Sequence, residues 1–536
     1  MRLILAVLCL LLALPVAAIL GSWLLVDAAA LATLAHQAST VLPGYALQSL
    51  ALAAGVGLGV ALVGVGAAVV VSLFRFPGRA VFEWALLLPM AMPGYVLAYA
   101  YTDALQFSGP LHSALREALG LRGALWPDIR SLPGAVVLFV LCLYPYVYLL
   151  TRSALNERAV QMMEAARLLG AGLRRRLLEV ALPMARPAVA AGVALALMET
   201  LADYGVGAYF GLSTFTTGIY RAWLSMNDGV AAAQLASVLL ALVAVLLALE
   251  RRSQAQLRFA ASRSGAQHAA DAQPVQLRGG LAAGAWTLCA LPVGLGFVLP
   301  VGWLAAMLWR EAATGEFGLP LVRFAHWAGA SFALAALAAL LATLFALALA
   351  FALRRRESPT DRLLGVGARV LALGYAVPGA VVAIGILLPV GWVQRQWPES
   401  GAAALVTGTL AGVLVAYGVR FSAVALQTVE AGYARVPPSV DETARLLGAS
   451  RGRTFVALHL PLLRRSALAA ALLVFVDVMK ELPATLVLRP FGTDTLAVVA
   501  YNLARDERLA EAALPSLAIV AVGLIPVLML SRAMRR

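Results

Sequence analysis

Long apolar runs separated by short polar segments fill most of this chain, and within the runs hydrophobic residues are continuous rather than alternating. A helix of roughly 20 such residues, rising about 1.5 Å per residue, crosses about 30 Å of hydrocarbon. Only helices and closed barrels satisfy their backbones in lipid, and barrel strands alternate apolar with polar positions. The pattern therefore predicts an all-α polytopic membrane protein with about 12 transmembrane helices. In the first half the expected spans are 3–26, 49–74, 81–101, 134–150, 187–205 and 231–249. In the second half they are 281–308, 329–353, 370–392, 403–417, 467–480 and 514–530. Between the two sets, 251–279 is rich in Arg, Ser, Gln, Ala and Gly, the composition of a solvated linker. The expected organisation is a first six-helix repeat at 1–250, a cytoplasmic linker at 251–279 and a second six-helix repeat at 280–536.

Composition agrees: 62% of residues are hydrophobic and 13% charged, far from the balance of a soluble domain. The net charge of +14 could suit a nucleic-acid partner, but the arginines follow the topology instead of forming one surface. Residues 27–49 hold no Lys or Arg, whereas 150–186 and 418–465 hold seven each. By the positive-inside rule the basic segments are cytoplasmic, and with them both chain termini. The expected surroundings are membrane lipid, with no nucleic acid. Cys9, Cys142 and Cys289 lie in apolar runs at spacings that fit neither disulfides nor a metal site. Arg2 followed by an apolar stretch has the look of a secretory signal, but the length of its apolar core favours an uncleaved first span. His36, His112, His268, His326 and His459 are scattered, so neither an enzyme nor a firm metal site is expected.

The two halves resemble each other. EAARLLGA at 164–171 returns as ETARLLGA at 442–449, 278 residues later, and the same offset carries ALP at 181–183 onto HLP at 459–461. Repeats with an even number of spans are parallel copies related by an axis along the membrane normal, with a pathway expected at their interface. Both repeated segments fall in long basic cytoplasmic loops, near 157–186 and 436–465. Each reads as a short helix, a glycine turn at Gly170 or Gly448, a second short helix, and Leu-Pro where the chain re-enters the membrane. Glycine tolerates the sharp turn, and proline the first turn of a helix. Ser439-x-x-Glu442 also has the form of a capping box, which Glu164 lacks.

These segments resemble the EAA loop of binding-protein-dependent ABC importer permeases. The pattern falls on Glu164, Ala165, Ala166, Gly170, Val180, Leu182 and Pro183, and again on Glu442, Ala444, Gly448, Leu458, Leu460 and Pro461, with Thr443 at the first alanine position. The resemblance implies two parallel repeats of the type I ABC importer permease fold in the bacterial cytoplasmic (inner) membrane. It also implies that each loop docks into a groove on one of two copies of an ABC ATPase subunit. This chain has no Walker A motif, since its only lysine, Lys480, stands between Met479 and Glu481. ATP and Mg are then expected on the partner ATPase, and no cofactor on this chain.

Ionisable residues within spans are costly and point to function. At the repeat offset Glu199 maps onto Asp477 and Asp203 onto Glu481, so each half has two carboxylates at i and i+4, on one helix face. Such pairs should face water, take up protons or meet cations, and Lys480 is placed to neutralise part of the second pair. These four are the candidate translocation path. The runs ETLADYGVGAYFGLSTFTTGIYRAW (199–223) and MKELPATLVLRPFGTDTLAV (479–498) are similar to those of fused two-repeat ferric iron importer permeases. That resemblance implies import of iron(III) delivered by a periplasmic iron(III)-binding protein, and carboxylate oxygens suit such a hard cation. Thiamine importer permeases, also fused duplicates, are the alternative within the class. An ion-coupled secondary transporter is the alternative outside it, but would have no need of paired EAA loops.

Overall fold

The computed structural model describes residues 2–25, 28–156, 160–261, 275–314, 318–354 and 359–534. Residues 157–159 of the first basic loop and 262–274 of the expected linker lie outside the described residues. Among those described, ten helices are long and apolar enough to cross a membrane. The pair Arg79–Ala91 and Gly94–Leu119, bent by 90°, makes an eleventh if it is one broken span. The remaining expected span, 467–480, falls in helix Leu460–Met479, which carries three charged residues, Arg464, Arg465 and Asp477.

Proline explains the main departures from the expected spans. The run 81–101 is not continuous: Pro93 is extended, with ψ 142°, and a new helix starts at Gly94. Pro378, also at ψ 142°, does the same before helix Gly379–Gln396. Proline lacks an N–H and pushes its predecessor out of the helical region, so each apolar run is cut there.

Two compact units make up the chain. One contains Met1–Ala38, Ile219–Leu240 and Pro320–Val499. At its centre Leu321–Leu353, Ala411–Tyr433 and Leu460–Met479 pack together, the first through a buried face of Ala335, Ala338, Ala339, Ala342 and Ala346. Helix Arg2–Gly21 lies along Gly379–Gln396, where a side chain at Gly385 would stand 2.3 Å from the Pro15 carbonyl oxygen. Lipid supplies no hydrophobic drive between helices, so small residues that let backbones approach do much of the holding.

The other unit contains Ser39–Gly218, Ala241–Leu319 and Ala500–Arg536. Its centre is the equivalent trio, Leu42–Leu73, Leu132–Ala154 and Leu182–Ala202. Close approach recurs here, since a Cβ on Gly192 would lie 2.7 Å from Val147 Cα. Helix Leu299–Thr314 packs on Leu509–Met534, and Val275–Gln276 forms a two-residue parallel strand with Phe74–Arg75. The sequence halves thus exchange helices: the first helix of the chain belongs to the unit built on the second-half trio, and Leu299–Thr314 to the unit built on the first-half trio.

Candidate coupling elbows and intramembrane carboxylates

The two EAA segments fold into the same elbow. Helix Val160–Leu168 ends with Gly170 at φ 81°, and helix Ser439–Leu446 ends with Gly448 at φ 73°, a left-handed turn that glycine makes without strain. The closing hydrogen bonds repeat one for one. Gly170 N–H donates to the Arg167 carbonyl and Ala171 N–H to that of Ala166, both at 2.9 Å; Gly448 and Ala449 donate to Arg445 and Ala444, both at 3.0 Å. After the turn, Gly172 and Ser450 are extended and start the second arm. A π-helical turn follows in each, Arg176–Ala181 and Phe455–His459, and leads into Leu182-Pro183 or Leu460-Pro461 at the start of the next long helix.

At the tip of each elbow a pair of leucines stands in the open: Leu168 and Leu169 at 84% and 88% exposure, Leu446 and Leu447 at 87% and 81%. The same exposed apolar pair thus recurs at both tips. Glu442 is exposed on its short helix. Glu164 holds the matching place on Val160–Leu168, and its side chain is not among those described. The expected capping box does not form, because Pro438 takes the N-cap position and places Ser439 inside the first turn.

Behind the second elbow lies an ionic anchor absent from the sequence reading. Asp441 is buried; one of its oxygens accepts from Arg354 Nε at 2.5 Å and the other meets His459 Nε2 at 2.8 Å. Arg354 Nη2 also donates to the carbonyls of Val436 at 2.8 Å and Pro437 at 3.0 Å. Its guanidinium covers the Tyr433 ring at 5.2 Å. Burial pushes the Asp441 carboxyl up, but the hydrogen bonds from Arg354 and His459 outweigh it and hold the group below the usual aspartate range. At the repeat offset, the first elbow has buried Met163 in place of Asp441 and buried Ala181 in place of His459.

The four carboxylates are placed unequally. Helix Leu182–Ala202 carries Glu199 and stops before Asp203; helix Leu460–Met479 carries Asp477 and stops before Glu481. The outer member of each pair therefore sits beyond its helix end, not on a shared helical face. Asp203 Oδ1 accepts the Val206 N–H at 2.8 Å, and Glu481 Oε1 accepts the N–H of Ala484, the residue matching Val206, at 2.9 Å. The likeness ends there. Glu481, 4% exposed, also takes Arg420 Nη1 at 2.9 Å and the Thr485 N–H at 3.0 Å, with the Thr485 hydroxyl as a further donor. Cys142 occupies the place of Arg420 in the first repeat. Lys480 binds Asp477 at 3.0 Å, so it pairs with the inner carboxylate of its half while Glu481 is met by Arg420.

Arg420 lies three residues beyond 417, the expected end of the fourth span of the second half, and so within the segment 418–465 expected to be cytoplasmic. The helix runs from Ala411 to Tyr433 and buries it. A lone arginine inside LVAYGVRFSAVAL was the available signal.

Two stretches of the chain, 60–258 and 342–536, match the family of binding-protein-dependent transport system inner membrane components. The chain is 24% identical over 480 residues to the Fe(3+)-transport system permease protein of Haemophilus influenzae, across 89% of this chain and 87% of that protein. It is likewise 24% identical over 443 residues to the ferric transport system permease protein of Actinobacillus pleuropneumoniae, across 78% of this chain and 61% of the relative. A molybdenum transport system permease protein of Escherichia coli is 30% identical over 130 residues, or 24% of this chain and 55% of its own.

Proposed function

We propose that this chain, which belongs to the family of binding-protein-dependent transport system inner membrane components, is the two-repeat permease of an importer that carries iron(III) from periplasm to cytoplasm. Two copies of a separate ABC ATPase, holding ATP and Mg, drive it, and a periplasmic iron(III)-binding protein feeds it. The single observation that carries the coupling role is the paired elbow, with two leucines bared at each tip behind an identical glycine turn. Glu164, Ala165, Ala166, Gly170, Leu182 and Pro183 shape one elbow; Glu442, Ala444, Gly448, Leu460 and Pro461 shape the other. Each seats in one ATPase, on the cytoplasmic side with both termini. ATPase closure then pushes directly on the long helices that begin at Leu182 and Leu460.

Iron is favoured over the other solutes of the family because the relatives named for ferric transport align with most of this chain, whereas the molybdenum relative aligns with a quarter of it. Carboxylates inside the membrane also suit a hard cation and would repel an oxyanion. Glu199, Asp203 and Asp477 are the path carboxylates of this reading. Glu481, already saturated by Arg420 and three donors, serves the path by fixing the short helix Pro483–Leu488.

The test is uptake of labelled ferric iron into vesicles holding the permease, its ATPase and its binding protein. Uptake that needs ATP and resists excess thiamine or molybdate is expected. Import of thiamine or molybdate in place of iron would overturn the substrate, and uptake by the lone permease under an ion gradient would overturn the class.

A further inference from the structure

Tyrosines gather around Asp203. Tyr95 and Tyr99 lie one turn apart on helix Gly94–Leu105, Tyr204 and Tyr209 bracket the short helix Gly205–Tyr209, and Tyr501 comes from helix Leu496–Arg505. All belong to one compact unit. Tyr501 Oη lies 3.3 Å from Tyr204 Oη, with the rings 5.7 Å apart. Tyr99 stacks edge-on against Tyr209 at 5.0 Å and lies 5.8 Å from Tyr95. Tyr99 is fully buried, its hydroxyl oxygen has no hydrogen-bond partner among the described residues, and its electrostatic neighbours include Asp203, Tyr209 and Tyr501. A buried hydroxyl left unsatisfied is costly, a cost that a partner bound during transit would offset.

Building on the iron reading above, we propose that Tyr99, Tyr204, Tyr501 and Asp203 form a transient oxygen-donor station for iron(III) on the translocation path. Phenolate and carboxylate oxygens are hard donors matched to a small trivalent cation. On binding, each coordinating phenol exchanges its O–H bond for an O–Fe bond and releases its proton to water; the iron stays ferric, so no electron is needed. Tyr209 is already committed, since Arg130 Nη2 reaches its hydroxyl at 3.3 Å while grasping Glu507 through both nitrogens at 2.8 and 2.9 Å. Among the described residues the other unit shows no matching tyrosine cluster, Tyr417 near Glu481 being hydrogen-bonded to Thr485 at 2.7 Å. Counted from the Pro-Gly that opens each helix, Ala380 and Ile384 replace Tyr95 and Tyr99, and at the repeat offset Leu482 replaces Tyr204. Aromatic packing alone would require the rings; the station requires their oxygens.

Phenylalanine keeps the ring and removes the oxygen, which separates the two. The purified permease–ATPase complex in lipid nanodiscs is titrated with ferric nitrilotriacetate, following bound iron and the visible phenolate-to-iron charge-transfer band. The wild type should develop the band, and Tyr99→Phe/Tyr501→Phe should lose it and bind iron at least about tenfold more weakly with unchanged ATPase content. Asp203→Asn should weaken binding while keeping a shifted band. A wild type without the band, or a double variant that matches it, overturns the station. Vesicle uptake separates this failure from that of the iron reading: a wild type that imports no iron sinks the reading itself, whereas normal iron import by both proteins sinks the station alone.

Discussion

Asp203 and Glu481 hold the same position in the two repeats and make the same hydrogen bond to the backbone N–H three residues on, yet one sits among tyrosines and the other against Arg420. The elbows repeat the contrast, with Met163 and Ala181 behind one and an Arg354–Asp441–His459 cluster behind the other. Duplication has kept the backbone and the exposed tips, while the chemistry behind them has diverged. A single fused chain permits this, because each copy can specialise: here one unit keeps open oxygen chemistry near its carboxylate and the other spends its charges on rigidity.

If that contrast is right, the largest asymmetry appears on removing Arg420. Arg420→Ala leaves Glu481 buried without its cation and should destabilise the protein by about 3–5 kcal/mol, whereas Cys142→Ala at the matching place should cost about 1 kcal/mol. Thermal unfolding of the purified permease measures both, and equal losses would remove the distinction.

A smaller effect is expected at the second elbow. Arg354→Ala should cost about 2–3 kcal/mol from its charged hydrogen bonds, and should leave ATP hydrolysis running with reduced transport. A double-mutant cycle with Asp441→Asn should show a coupling of about 1–3 kcal/mol, and additive losses would mean the pair does not act as one anchor.

Acid sharpens the comparison further. The folded-state pKa of Asp441 is depressed, so its stabilisation is present above the usual aspartate range and is lost as pH falls through the lowered folded value. Between neutral and strongly acidic pH, protease protection of the second elbow should decline in the wild type and be flatter in Asp441→Asn. The first elbow, lacking an ionic anchor at that position, should not show this dependence.

What the sequence could disclose followed the range of the interactions. The elbows were legible because a glycine turn and a Leu-Pro entry are set by neighbours in the chain and occur twice. The capping box failed at equally short range, since Pro438 claimed the position assigned to Ser439. Breaks at Pro93 and Pro378 were visible in principle in PMAMPG and YAVPG, but hydropathy smooths over a proline. The Arg420–Glu481 pair and the tyrosines around Asp203 join segments far apart in the chain, and only packing brings them together.

The smallest effect on stability carries the greatest weight for function. Replacing Leu168, Leu169, Leu446 and Leu447 together by serine should shift unfolding by no more than about 0.5 kcal/mol, because the four side chains are in the open. Co-purification of the ATPase with this variant from native membranes is the decisive measurement. ATPase recovery reduced at least about tenfold, with the permease still folded in the membrane, is the predicted result. Full recovery of the ATPase with normal coupled transport would contradict the claim that these two elbows are where the force enters.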